Sequence, residues 1–432
     1  MSDQSSPVLG FETRAIHAGA APDEATGARA TPIYQTSSFV FDDVEDAAAL
    51  FNLQKAGFIY SRLTNPTVSV LEGRLADLEG GAGGTCTASG HSAQMLALFP
   101  LLTPGDDFVA SRKLYGGTLN QFANSFPRAF GWKCSFVSGD SADDYRRAIT
   151  PRTKAIFIES LANPGGIVSD IATIAKVAEE AGIPLIVDNT LATPYLCRPI
   201  EHGATLVVHS TTKFLTGNGT SVGGVVIDSG KFDWSQGGRF PALTEPEPGY
   251  HGLRFAETFG PAAFTVYGHA IGLRDLGPSM APLNAFLGIL GTETLALRME
   301  RHCANALKVA EYLAAHPAVA WVNYAGLPDS PYKALADRYL PNGAGAIFTF
   351  GLKGGYEAGV KLVESVKLFS HLANIGDAKS LIIHPSSTTH RQLTPEGQVA
   401  AGAGPDVIRL SIGLESVKDI IADLEQALAQ VG

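Results

Sequence analysis

Ala204-Thr-Leu-Val-Val-His-Ser-Thr-Thr-Lys213 is the stretch on which the fold turns. Its apolar run Leu206-Val207-Val208 stops abruptly at small hydroxyl residues and a single lysine. Upstream, Ile183-Pro-Leu-Ile-Val187 ends in the same manner, in Asp188-Asn189-Thr190. Short apolar runs bounded by polar turns read as strands covered on both faces, as in a parallel sheet. The carboxyl ends of such strands line the crevice where α/β proteins bind ligands, so both charges are expected there.

Outward from these two runs the same rhythm continues. Further strands are expected at 108–110, 155–158 and 222–227, with a helix at 171–181 among them. Alternating strands and helices predict an α/β fold with a mainly parallel sheet and helices on both faces. Val68, Leu71, Leu75 and Leu78 share one face of a helix that stops at Gly80-Gly81, a glycine end signal. Residues 1–62 have few apolar repeats and read as an arm, with one short helix at 41–51. Residues 63–280 then form the main domain. The remaining 281–432 mix a helix at 293–313 with strands at 319–322, 347–350, 381–383 and 407–412, a smaller α+β domain. The stretch 229–261 breaks the rhythm with Trp234, Gly237, Gly238, Pro241, Pro246 and Pro248, and reads as a long loop. Loops of that length inside a compact domain are usually functional, so it is expected over the crevice.

Bulk properties exclude several classes. The 432 residues suffice for two domains and a sizeable core. A formal net charge of -10 argues against a general binder of nucleic acid or anionic membrane. Cys86, Cys134, Cys197 and Cys303 are far apart and form no CxxC pair, so neither a zinc ribbon nor a disulfide framework is expected. No apolar run reaches membrane-spanning length, and Met1-Ser-Asp-Gln-Ser-Ser-Pro7 shows no basic and apolar leader pattern. The expectation is a cytoplasmic protein without a metal.

The chemistry-bearing residues each have a bland reading. One lysine after a strand is ordinarily solvated, and an aspartate at a strand end ordinarily caps a turn. Together, Lys213 and Asp188 supply an amine able to form an imine and a carboxylate able to pair a ring cation, which is what pyridoxal phosphate requires. Opposite charges about 4 Å apart at an effective dielectric near ~20 gain roughly 4 kcal/mol. That is enough to keep a pyridine nitrogen protonated. Ser89-Gly90-His91 opens a helix, where free N–H groups favour an anion; His91 is expected to act through its backbone. Ser210 and Thr212 offer hydroxyls for phosphate oxygens. For Tyr115, beside Gly116-Gly117, stacking on an aromatic ring and an ordinary tyrosine in a turn are equal readings. Arg409 stands in the apolar run Val407-Ile-Arg-Leu-Ser, where a charge must be paired; a substrate carboxylate and an internal salt bridge are equal readings.

As a set, these residues resemble the Cys/Met-metabolism family of pyridoxal-phosphate enzymes across nearly the whole chain. The motifs are Tyr60-Ser-Arg62, Ser89-Gly90, Tyr115-Gly116, Asn163-Pro164, Val187-Asp188-Asn189-Thr190, His209-Ser-Thr-Thr-Lys213, Gly376-Asp377 with Ser380-Leu381, and Arg409-Leu-Ser-Ile-Gly413. The resemblance implies a fold type I transferase with a sheet of the seven-stranded type and pyridoxal 5'-phosphate as cofactor. It implies that Lys213 is the imine lysine and proton shuttle, Asp188 the pyridine partner and Tyr115 the stacking residue. Gly90, His91, Ser210 and Thr212 are implied to hold the phosphate, joined by Tyr60 and Arg62 from a neighbouring subunit. A homotetramer built from dimers with shared active sites follows. Asn163, Ser380 and Arg409 are implied to orient the cofactor oxygen and bind a substrate carboxylate.

Within the family, Lys231-Phe-Asp-Trp234, Phe240-Pro241, Tyr250-His-Gly252 and Arg298-Met-Glu-Arg-His302 resemble the O-acetylhomoserine sulfhydrylase branch. That branch implies O-acetyl-L-homoserine with sulfide or a thiol such as methanethiol as substrates. O-succinylhomoserine sulfhydrylase, cystathionine γ-synthase and methionine γ-lyase activities are the alternatives. γ-Lyases usually carry a cysteine two residues after the stacking tyrosine, where this chain has Gly117.

Overall fold

The apolar runs form strands for the reason their pattern implies: helices cover both faces. In the computed structural model, which describes residues 9–162, 166–389, 391, 394–400 and 402–431, the larger sheet has seven strands. Across the sheet they run Gly83–Thr87, Gly224–Asp228, Leu206–His209, Leu185–Asp188, Thr153–Glu159, Asp107–Ser111 and Lys133–Val137. Gly224–Asp228 is antiparallel to both neighbours, and every other pairing is parallel. Leu206, Val207, Leu185, Ile186, Ile156 and Phe157 are completely or almost completely buried. The two outermost strands carry no continuous apolar run, so the pattern did not signal them. Gly83–Thr87 reads Gly-Gly-Thr-Cys-Thr, and Lys133–Val137 is only partly covered.

Local chemistry sets the helix ends. Asn65 caps Pro66–Glu79 by accepting the Thr67 N–H, proline occupies the first turn, and Gly80 closes it at a φ of 77°. The second sheet orders Val319–Asn323, Ile347–Leu352, Val407–Ser411, Leu381–Ile383 and Ser370–His371. Leu295–Ala315, a helix of 21 residues, lies against both halves. From one face its Arg298 Nη1 donates to Phe214 O at 2.7 Å. A turn later His302 Nδ1 meets Ile412 O at 2.6 Å, and Asn305 Nδ2 donates to Gly413 O at 3.0 Å. One helix therefore fixes the turn after Lys213 relative to the strand that carries Arg409.

The stretch 229–261 departs from expectation. It contains short helices at Pro241–Thr244 and Phe255–Phe259, and Trp234, Phe240, Leu243 and Phe255 are buried. Trp234 stacks on Phe264 at 5.3 Å and meets Phe240 edge-on at 5.5 Å. Arg239 donates to Ala181 O at 2.6 Å and Thr153 O at 3.1 Å. Thr153 begins its strand, so this part of the insertion grips the amino-terminal edge of the sheet, opposite the crevice. Frequent glycine and proline made it read as a loop, whereas its aromatic side chains require cover and obtain it against the sheet's helices.

Candidate active site

At the carboxyl ends of the central strands lies a cavity of about 310 Å³. Its walls include Ser89, Gly90, His91, Tyr115, Asp188, Ser210, Thr212, Lys213 and Arg409. These positions are scattered over more than three hundred residues of sequence, and the strand-end logic assembles them.

Lys213 follows its strand by one tight turn, with Gly217 N–H donating back to Lys213 O at 2.8 Å. Burial, with Arg409 nearby as a second positive charge, pushes the lysine pKa down from 10.5 to about 8. A lower pKa leaves more of the amine neutral near neutrality. The amine donates to Asn374 Oδ1 at 2.6 Å. Asp188 is held by two donors, Gln94 Nε2 at 3.1 Å and Thr190 N–H at 3.0 Å. Gln94 is itself fixed by Thr118 Oγ1 at 3.0 Å, so the carboxylate has a set direction.

The opposite wall is built for an anion. Ser89 caps the helix Gly90–Leu98 by accepting the Ser92 N–H at 3.1 Å, which leaves the first-turn donors open. A Cβ on Gly90 would stand 2.7 Å from Ser210 Cβ, so only glycine lets this helix start approach the lysine-bearing turn. Thr212 Oγ1 accepts the Gly223 N–H at 3.0 Å, which fixes its hydroxyl. Amine, directed carboxylate and anion cradle thus fit the three ends of pyridoxal phosphate.

Tyr115 stands on the wall, half-exposed, with its N–H donating to Glu159 Oε1 at 2.7 Å. The His91 ring, solvent-accessible at the mouth, faces it with centroids 5.9 Å apart and planes 30° apart. Partial burial lowers the His91 pKa below its usual value. Any Cβ at residue 117 would meet Tyr115 Cε1 at 2.5 Å and the His91 ring at 3.0 Å. Arg409 enters from the smaller sheet, where it pairs with Thr349 and Ile383. Burial pushes its pKa down to about 10, and Nη2 donates to Asn374 O at 3.3 Å.

Comparison with known proteins shows the family. Residues 12–429 match the family described as Cys/Met metabolism PLP-dependent enzyme. The chain belongs to that family. An O-acetyl-L-homoserine sulfhydrylase of Leptospira meyeri is 51% identical over 429 residues, covering 97% of each chain. O-acetyl-L-homoserine sulfhydrylase 1 of Thermus thermophilus is 50% identical over 97% of this chain and 100% of its own. A solved Campylobacter jejuni chain containing N'-pyridoxyl-lysine-5'-monophosphate superposes with a TM-score of 0.94 at 42% identity, covering 98% of this chain and 100% of that one.

Not every expected residue of this family member reaches the cavity. Tyr60 and Arg62, expected at a neighbouring subunit's phosphate, lie exposed on the arm, the guanidinium 5.1 Å from the tyrosine ring centroid, and do not line this cavity. Ser380 is buried, its hydroxyl donating to Glu415 at 2.9 Å and accepting the Gly413 N–H at 2.9 Å. It does not line the cavity. Asn163 lies outside the described residues. No described residue of 229–261 lines the cavity either, so the expected position over the crevice is not found.

Three polar wall residues escaped the sequence reading. Glu159 ends an apolar strand as Asp188 does, and the two are register partners; the same signal was present. Gln94 sits one helical turn after Gly90, on the same face. Asn374, in the irregular segment Leu372-Ala-Asn-Ile375, carried no local signal. Among the described residues, no group of three or more His, Cys, Asp or Glu could hold a metal ion. No described helix is long and apolar enough to cross a membrane.

Proposed function

We propose that this chain catalyses γ-replacement on O-acetyl-L-homoserine by sulfide, giving L-homocysteine and acetate, with methanethiol as a further acceptor. The observation that carries the reading is one cavity holding the Lys213 amine, the directed Asp188 and Arg409, in a chain about half identical to full-length sulfhydrylases. When bound, pyridoxal phosphate supplies an electrophilic carbonyl and a ring that accepts electrons.

The chain's own groups do the rest. Arg409 binds the substrate carboxylate through its planar fork. Lys213, partly neutral at physiological pH, takes the proton from Cα and returns one later in the cycle. Asp188, held by Gln94 and Thr190, keeps a proton on the ring nitrogen. Gly90, His91, Ser210 and Thr212 would hold the cofactor's phosphate, and Tyr115 would stack on its ring. Acetate departs from Cγ, and sulfide adds at the same carbon. Ser380 contributes through the backbone it anchors, and Asn163 orients the cofactor oxygen.

The same proposal extends to assembly. Tyr60 and Arg62, exposed on the arm, reach the phosphate of a neighbouring subunit, which gives dimers with shared sites paired into a homotetramer. The arm ends near 62, and the smaller domain begins near 281. Four free, separated cysteines fit the reducing cytoplasm.

Steady-state turnover with acetyl and succinyl donors, each with and without sulfide, tests the reading. Homocysteine formed mainly from the acetyl donor supports it. Preference for the succinyl donor, or release of keto acid without sulfide, would move the chain to an alternative branch.

A further inference from the structure

Asn374 touches both cations of the cavity. Its side-chain oxygen accepts from Lys213 Nζ at 2.6 Å, and its backbone carbonyl accepts from Arg409 Nη2 at 3.3 Å. It lines the cavity with its neighbours Ala373 and Ile375. It comes from the smaller half of the molecule, 161 residues from the lysine. We propose that Asn374 receives the Lys213 amine whenever that amine is not bonded to the cofactor, and orients it toward the substrate held by Arg409. The proposal rests on the reading of Lys213 as the imine lysine.

The chemistry of the acceptor supports this role. A proton-moving lysine must be held in place once it leaves the cofactor, yet must remain able to lose its proton. A carboxylate at that distance would favour the ammonium and raise its pKa. A neutral amide oxygen orients the amine through one hydrogen bond and adds no net charge. The other charged and titratable groups on the cavity wall are Arg409, Asp188, Glu159, His91 and Tyr115. Arg409 opposes the ammonium, and Asp188 is occupied by Gln94 and Thr190. Asn374 is only half-buried, in an irregular segment outside the strands and helices, so its substitution leaves the core intact.

The test uses the full-length protein freed of cofactor, with the pH dependence of Lys213 acylation followed by mass spectrometry. Asn374→Asp should raise the midpoint by about one pH unit or more, whereas Asn374→Ala should move it little. In the reconstituted enzyme, Asn374→Ala should lower kcat about tenfold or more with a smaller change in KM, as for a group acting in the proton steps. An Asp variant with the wild-type midpoint, or an Ala variant with wild-type kcat, overturns the proposal. If wild-type protein turns over no acylhomoserine, the functional reading fails instead, and the labelling midpoint still reports on the Asn374 contact.

Discussion

The cavity wall and the insertion at 229–261 are both rich in glycine, yet they use it to opposite ends. At Gly90 the missing side chain brings a helix start against Ser210 and leaves donors facing a ligand. In the insertion, Gly237 and Gly238 adopt positive φ angles of 66° and 62° and merely turn the chain. The cavity gathers charges that burial has shifted, on Lys213 and Arg409. The insertion gathers aromatic rings, with Trp234, Phe240 and Phe255 packed beneath it. The part of the insertion around Arg239 is thus a packing device at the amino-terminal edge of the sheet, while Lys213, Asp188 and Arg409 line the cavity.

Substitutions in each region sharpen or break that contrast. The largest effect belongs to Lys213→Ala. It should abolish the visible imine band of the yellow protein and cost at least roughly 10³-fold in turnover, with thermal stability preserved. A retained band would remove Lys213 from its role. Next, Phe240→Ala should lower unfolding free energy by about 3–5 kcal/mol, measured by denaturant titration. The folded fraction should keep wild-type KM for both substrates; an altered donor preference would show the contrast to be false.

Arg409→Ala should follow, losing a charge-assisted contact of about 1.5–3 kcal/mol, or roughly 10–150-fold in kcat/KM. If the carboxylate is bound equally in ground and transition states, the loss appears mainly in KM. Unchanged kinetics would return Arg409 to a structural role. The smallest change is expected at the surface of the insertion. Arg254 and Glu257 form an exposed pair at 3.5 Å, and Glu257→Gln should alter stability by less than about 0.5 kcal/mol. A larger loss in solution, dependent on protein concentration, would show that another subunit covers this edge.

The sequence was most legible where one residue had to satisfy one local rule. Continuous apolar runs gave the central strands, because burial on both faces leaves no room for alternation. Their abrupt polar ends gave Lys213 and Asp188. Glu159 obeyed the same rule and was passed over. The edge strands Gly83–Thr87 and Lys133–Val137 were not legible: the first is buried but built of glycine, threonine and cysteine, and the second is only partly covered, so neither carries a continuous apolar run. The insertion misled because glycine and proline announce turns but do not say whether the residues between them are buried.

By itself, then, the sequence determined the α/β class, the lysine and aspartate at two strand ends and the helix start that faces an anion. Each follows from local periodicity, capping or backbone freedom. Only the tertiary structure decided that Asn374 meets Lys213, that Arg298, His302 and Asn305 fix the two halves together, and that no described residue of the insertion lines the cavity. Those contacts join segments far apart in the chain. Their energies depend on which surfaces the folded sheets bring together, and no local pattern carries that information.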